Sequence, residues 1–137
     1  MINKLIDSQV LKRIDEVAKR YDISSFKYIF NSKKTDYKNL VHLDKYRNKK
    51  GIYIFEVDKE VVYIGCAHSV NKVRQGLRDR LKQYYSNRSA TFIKKHKLFA
   101  SISEALVYVL VTDNIEKKQI MFDESFFIGA LEPKYNY

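Results

Sequence analysis

Gly51-Ile52-Tyr53-Ile54-Phe55-Glu56-Val57, then Asp58-Lys59-Glu60, then Val61-Val62-Tyr63-Ile64-Gly65 is the stretch that decides the fold. Two runs of β-branched and aromatic residues flank a short polar turn, which predicts a β-hairpin with strands over 51–57 and 61–65. Downstream, Leu77, Leu81 and Tyr84 recur at helical steps and predict a basic helix over about 76–86. Phe92, Ile93 and Leu98 point to a second short helix. Ala105 to Thr112 is a continuous apolar run, short enough for a buried strand, and Asp113-Asn114 then predicts a turn and a helix N-cap. Ile120, Met121, Glu124, Phe127, Ile128 and Leu131 recur at helical steps up to Pro133.

Upstream, the apolar residues from Ile2 to Tyr21 keep three- and four-residue spacing, an amphipathic helix over about 2–21. Asp22-Ile23-Ser24-Ser25 interrupts it, and the apolar residues of 26–30 are too few to fix a type. Residues 31–50 are polar and predict mostly loop. The expected fold is α+β: a small three-stranded antiparallel sheet, made of the hairpin plus one later strand, flanked by helices. Residues 1–50 are expected as a helical and basic-loop extension, and 51–137 as the domain proper.

With 137 residues, 45% hydrophobic and 31% charged, the chain has globular balance. One cysteine, Cys66, excludes a disulfide framework and a multi-cysteine zinc site and suits a reducing cytoplasm. No run of about 18 apolar residues occurs, so no membrane partner is expected. His42, His68 and His96 lie too far apart in sequence for metal-ligand spacing, and no glycine loop for a nucleotide cofactor is present.

The formal charge of +10, from 26 basic against 16 acidic side chains, favours a polyanionic partner through counterion release. Residues 72–97 hold nine Lys or Arg and one acid, Asp79, whereas 101–137 hold three Lys and six acids. Read for function, that is a phosphate-binding face beside a candidate metal site. Read blandly, it is two solvated surfaces of opposite sign.

The triplets Gly51-Ile52-Tyr53 and Tyr63-Ile64-Gly65 resemble the defining motif of the GIY-YIG endonuclease superfamily. Three further elements follow in the family's order: Arg80-Leu81-Lys82-Gln83-Tyr84, Glu124 in a mostly apolar helix, and Asn136 in Pro133-Lys134-Tyr135-Asn136. The resemblance covers about 51–137 and is similar at its end to the incision domain of the bacterial excision-repair nuclease. The wording Lys72-x-Arg74-x-Gly76-Leu77-x-x-Arg80 is closer to GIY-YIG restriction enzymes, and the length to compact phage members. Cys66 departs from the Lys that often follows the second triplet, and Arg74 and Arg78 compete with Arg80 as the catalytic arginine. Arg80 is preferred because Leu81 and Tyr84 sit where the family places them.

The resemblance implies a Mg²⁺-dependent DNA endonuclease, with Mn²⁺ as an alternative ion and duplex DNA as the substrate. It implies Glu124 as the metal ligand, Arg80 as the phosphate clamp and Tyr53 as the general base. Tyr63, Tyr84 and Asn136 would orient groups at the site. A free tyrosine has a pKa near ~10, so a nearby cation is needed to raise its phenolate fraction. Lys72, Arg74, Arg78, Lys82, Arg88, Lys94, Lys95 and Lys97 would form the DNA-binding surface. The alternative is a non-catalytic nucleic-acid-binding module that keeps the hairpin, and homo-oligomerisation through the N-terminal helix is a further option.

Overall fold

The computed structural model describes residues 7–29, 43–70, 76–86 and 104–136. Helix α1 (Ser8–Ala18) begins at Asp7, whose side chain accepts a 2.8 Å hydrogen bond from the Gln9 amide. Strand β1 (Asp22–Ile29) follows, then a 3-10 turn at Asp44–Tyr46. The hairpin strands are β2 (Lys50–Val57) and β3 (Glu60–Ala67). Helix α2 (Leu77–Ser86), strand β4 (Glu104–Thr112) and helix α3 (Lys117–Leu131) complete the described elements. The short helix expected around Phe92, Ile93 and Leu98 and the loop over 31–42 lie outside the described residues.

The sheet has four strands in the order β1-β4-β2-β3, every neighbouring pair antiparallel. The expected three-stranded sheet is therefore one strand short. Asp22-Ile23-Ser24-Ser25 does not end a helix in loop but opens β1, which pairs with β4 from Asp22↔Val111 to Ile29↔Glu104. The sheet thus takes in a strand from the segment before residue 51. An edge strand exposes one side, so its polar Ser residues hide its identity; Ile23 is half exposed, while the Ser24 hydroxyl lies 2.7 Å from the Tyr46 hydroxyl.

The hairpin turn has positive φ at both central residues, Asp58 and Lys59, the pattern that suits the right-handed strand twist. A register shift between Phe55 and Glu56 marks a bulge.

Two apolar clusters sandwich the sheet. On one face Tyr53, Phe55, Val107 and Val109 pack with Leu43, Tyr46 and the α2 residues Leu77 and Leu81. On the other, Ile52, Ile54, Ile64 and Leu110 pack with Ile14 and Val17 of α1 and Ile120, Phe127 and Leu131 of α3. The sheet is therefore covered on both sides, with α2 opposite α1 and α3.

Helix α3 differs from expectation at its start. Its N-cap position is Glu116, with no side-chain cap, rather than Asp113 or Asn114. The Thr112 hydroxyl instead accepts from the amides of Asn114 and Ile115 at 3.2 and 3.1 Å, so the chain closes a local turn before the helix starts. Likewise α1 spans Ser8–Ala18 rather than 2–21, and residues 1–6 lie outside the described residues.

Candidate active site

Both motif glycines exist for space. Gly51 has φ +154°, and a Cβ there would overlap the carbonyl oxygen of Leu110 on β4. Gly65 pairs across the hairpin with Tyr53, and the Tyr53 phenol fills the space where a Cβ on it would stand. The first triplet's tyrosine thus needs the second triplet's glycine. Tyr53 is buried and makes an edge contact with Phe55 at 5.9 Å and a tilted contact with Tyr63 at 6.5 Å. The two motif tyrosines therefore share the α2 face of the sheet.

Cys66, the next residue, points to the opposite face, towards α3. There its thiol hydrogen-bonds to the Glu124 carboxylate, and Arg80 of α2 adds its positive charge to both. Burial pushes the Cys66 thiol up to about 12, helped by the Glu124 charge and opposed by Arg80, so the group stays a thiol near neutrality. Burial also raises the Glu124 carboxyl above its ordinary value, against the Cys66 hydrogen bond and the Arg80 charge. Glu124 is half-buried rather than sealed in the core. An arginine and a glutamate 44 positions apart in sequence thus interact beside the end of the hairpin.

The competing arginines separate. Arg78 is held by Asp44, its Nε donating at 3.0 Å, and its side chain also pairs with Asp79 at 3.8 Å. Arg74 lies outside the described residues. Lys82 is exposed on α2. Tyr84 belongs to the last part of α2, but its side chain lies outside the described residues, as do Lys72, Arg88, Lys94, Lys95 and Lys97.

Asn136 ties the C-terminal segment to the hairpin. Its side-chain Oδ1 accepts from the Ile64 amide at 2.9 Å, and its Nδ2 donates to the Ile64 carbonyl at 2.8 Å. The Tyr135 amide donates to the Val62 carbonyl at 2.8 Å. β3 is an edge strand, and this tail satisfies backbone groups that the edge would otherwise present. Among the described residues no cluster of three or more His, Cys, Asp or Glu forms a metal cage. No described helix is long and apolar enough to cross a membrane.

Two residues of consequence escape sequence reasoning. Cys66 is visible only as a departure from a motif, with nothing local to pair it with Glu124. Asp123, whose side chain is buried against Arg20 and Tyr21 just after α1, looks like one more acid in a helix; its place three residues after Ile120 and four before Phe127, on the apolar stripe, was the available signal.

No protein-family model matches the chain. Over 94 residues it is 32% identical to the UvrABC system protein C of Fervidobacterium nodosum, which spans 69% of this chain and 14% of that protein. The chain thus spans about a seventh of the length of that curated relative. Among solved structures, it resembles the GIY-YIG N-terminal endonuclease domain of UvrC from Thermotoga maritima bound to its catalytic divalent cation, magnesium. That likeness has a TM-score of 0.51 at 22% identity and covers 77% of this chain and all of that one. A point mutant of the same domain gives a TM-score of 0.51 at 20% identity, over 71% of this chain and 92% of that one.

Proposed function

We propose that this chain, which shares the fold of the GIY-YIG endonuclease domain and carries both motif triplets, is a member of that superfamily and a divalent-metal-dependent DNA endonuclease that hydrolyses phosphodiester bonds. The observation that carries the reading is that Glu124 on α3 hydrogen-bonds to Cys66, the residue after the second triplet, and that both lie within reach of the Arg80 charge on α2. One cation from the helix that packs on the tyrosine-bearing face and one anion from the helix on the other face are charges of the kind that phosphoryl chemistry uses.

The donors fit Mg²⁺. Glu124 is a single, half-buried carboxylate, and Mg²⁺ binds through one or two carboxylates while keeping several waters and substrate oxygens. Mn²⁺ suits the same oxygen donors. When bound, such an ion supplies charge stabilisation and an activated water. Glu124 would hold it in the ionised form, and the Arg80 charge favours that form. The Arg80 guanidinium would bind the phosphate oxygens through its planar fork and stabilise the charge that builds on them. Tyr53, as phenolate, would accept the proton of the attacking water, with its ring fixed by Gly65, Phe55 and Tyr63. Tyr63 and Tyr84 would orient the water or the phosphate. Asn136 would act through the Ile64 backbone, holding the hairpin edge. Cys66, neutral at physiological pH, would leave the local charge balance to Arg80 and Glu124.

Duplex DNA is the proposed substrate, bound through Lys82 with Lys72, Arg74, Arg78, Arg88, Lys94 and Lys95. The net charge of +10 supports that choice. The spacing of Arg74, Gly76, Leu77 and Arg80 supports a restriction-like role, the size of the domain a phage or mobile-element one, and the single cysteine suits the cytoplasm.

The test is incubation of the purified chain with supercoiled plasmid. Nicked or linear product with Mg²⁺ or Mn²⁺, abolished by EDTA, is the expected result. Salt-sensitive DNA binding without cleavage at any metal concentration would overturn it in favour of a non-catalytic binding module.

A further inference from the structure

We propose that Asp123 is a positioning residue through which the N-terminal segment fixes the placement of its neighbour, Glu124; the inference rests on the reading of Glu124 as the metal-holding carboxylate. Asp123 is 1% exposed. The Tyr21 hydroxyl donates to its Oδ2 at 2.6 Å, and Gln119 Nε2 donates to its Oδ1 at 2.7 Å. Arg20 pairs with Oδ1 at 3.5 Å from the partly exposed side. Three donors thus converge on one buried carboxylate, two of them from the junction between α1 and β1.

Such a cluster is a poor way to gain stability, because well-packed apolar residues in place of a buried charged group often do as well. It is a good way to fix one orientation. The contacts of α3 with the core through Ile120, Phe127 and Leu131 are apolar and non-directional. Asp123 and Glu124 are consecutive, so they leave the helix about 100° apart. One reaches the α1–β1 junction and the other reaches Cys66 and the field of Arg80. A rotation of α3 that breaks the first contact carries the second carboxylate away from its place. Misplacement of about 1 Å in a catalytic array can cost about 10²-fold in rate.

On this account the segment before the first triplet, which carries no motif residue, is part of the working unit. Tyr21 and Arg20 act on the site through Asp123 and touch neither metal nor phosphate.

The experiment compares the full chain with Tyr21→Phe, Asp123→Asn, Glu124→Gln and, as a packing control on α1, Ile14→Val. Each is measured for thermal stability, for Mn²⁺ affinity by EPR titration without DNA, and for single-turnover plasmid cleavage well below every Tm. Tyr21→Phe and Asp123→Asn are expected to weaken Mn²⁺ binding about 10-fold and to slow cleavage by about 10- to 100-fold. Ile14→Val is expected to lose stability but keep wild-type affinity and rate. If Asp123→Asn does not fold, Tyr21→Phe decides. Tyr21→Phe with wild-type Mn²⁺ affinity and rate, while Glu124→Gln has lost the ion, overturns the positioning role alone. Glu124→Gln with wild-type Mn²⁺ affinity overturns the metal reading and this inference with it. Equal losses in Ile14→Val and Tyr21→Phe would reduce Asp123 to a packing residue and also overturn it.

Discussion

The Tyr53 ring occupies the space where a side chain on Gly65 would begin: a Cβ there would lie 2.6 Å from Cε2 and nearer still to Cζ and the hydroxyl. The two residues are cross-strand partners in the hairpin, so the two triplets form one packing unit. Gly65→Ala must push the phenol aside, and overpacking of this kind costs about 1–3 kcal/mol. Urea unfolding is expected to show that loss. In a Tyr53→Ala background the same substitution should cost clearly less, because the clash is gone. Equal costs in both backgrounds would mean the ring does not rest on Gly65.

The raised Glu124 carboxyl gives stability a pH dependence. A group whose folded pKa lies above its unfolded value contributes stability that is full below the unfolded value and is lost as pH rises through the folded one. The ionised Glu124 therefore works against folding at neutral pH in metal-free protein. Glu124→Gln is expected to raise the Tm at pH 8 in EDTA, with the difference shrinking towards pH 4. Scanning calorimetry across that range checks it; a Tm difference independent of pH would contradict the burial of that charge.

Cys66 reports on the same carboxylate. With its thiol pushed up to about 12, wild-type protein should react slowly with a disulfide reagent at pH 8. Glu124 contributes to that upward push, so Glu124→Gln should lower the thiol's value and speed the reaction. Burial, the largest cause, remains, and the reaction should stay slower than that of a free cysteine. A colorimetric thiol assay on both proteins measures it.

Asn136→Ala removes two hydrogen bonds to one backbone unit. If the freed Ile64 groups stay shielded from water, each is worth about 1–3 kcal/mol; solvation of the opened edge reduces the loss. The expected outcome is a lower Tm with faster amide exchange at Ile64 than in the wild type. Unchanged exchange there would mean that the tail does not protect the β3 edge.

What was legible in the sequence follows from how local each signal is. The hairpin announces itself through two runs of β-branched and aromatic residues around a short polar turn, and β4 through a continuous, mostly buried apolar run. Helices α2 and α3 show their spacing because each packs one stripe against the sheet. Strand β1 was hidden because its partner β4 lies some eighty residues away, and Asp22, Ile23, Ser25 and Lys27 are exposed. The helix start misplaced at Asp113-Asn114 reflects a competing use of the same polar residues, in a turn closed by Thr112. At the candidate site, motif wording singled out Tyr53, Arg80 and Glu124. The bond from Cys66 to Glu124 and the burial of Asp123 exist only once the chain is folded.

The central claim is that Arg80 and Glu124 serve one phosphodiester together. Single-turnover cleavage of supercoiled plasmid by Arg80→Ala and Glu124→Gln, with DNA affinity measured alongside, tests it most directly. Loss of a charge-stabilising group at a reacting phosphate is expected to slow each variant by about 10²-fold or more, while Glu124→Gln keeps its grip on DNA. Cleavage by Glu124→Gln at the wild-type rate would contradict the account.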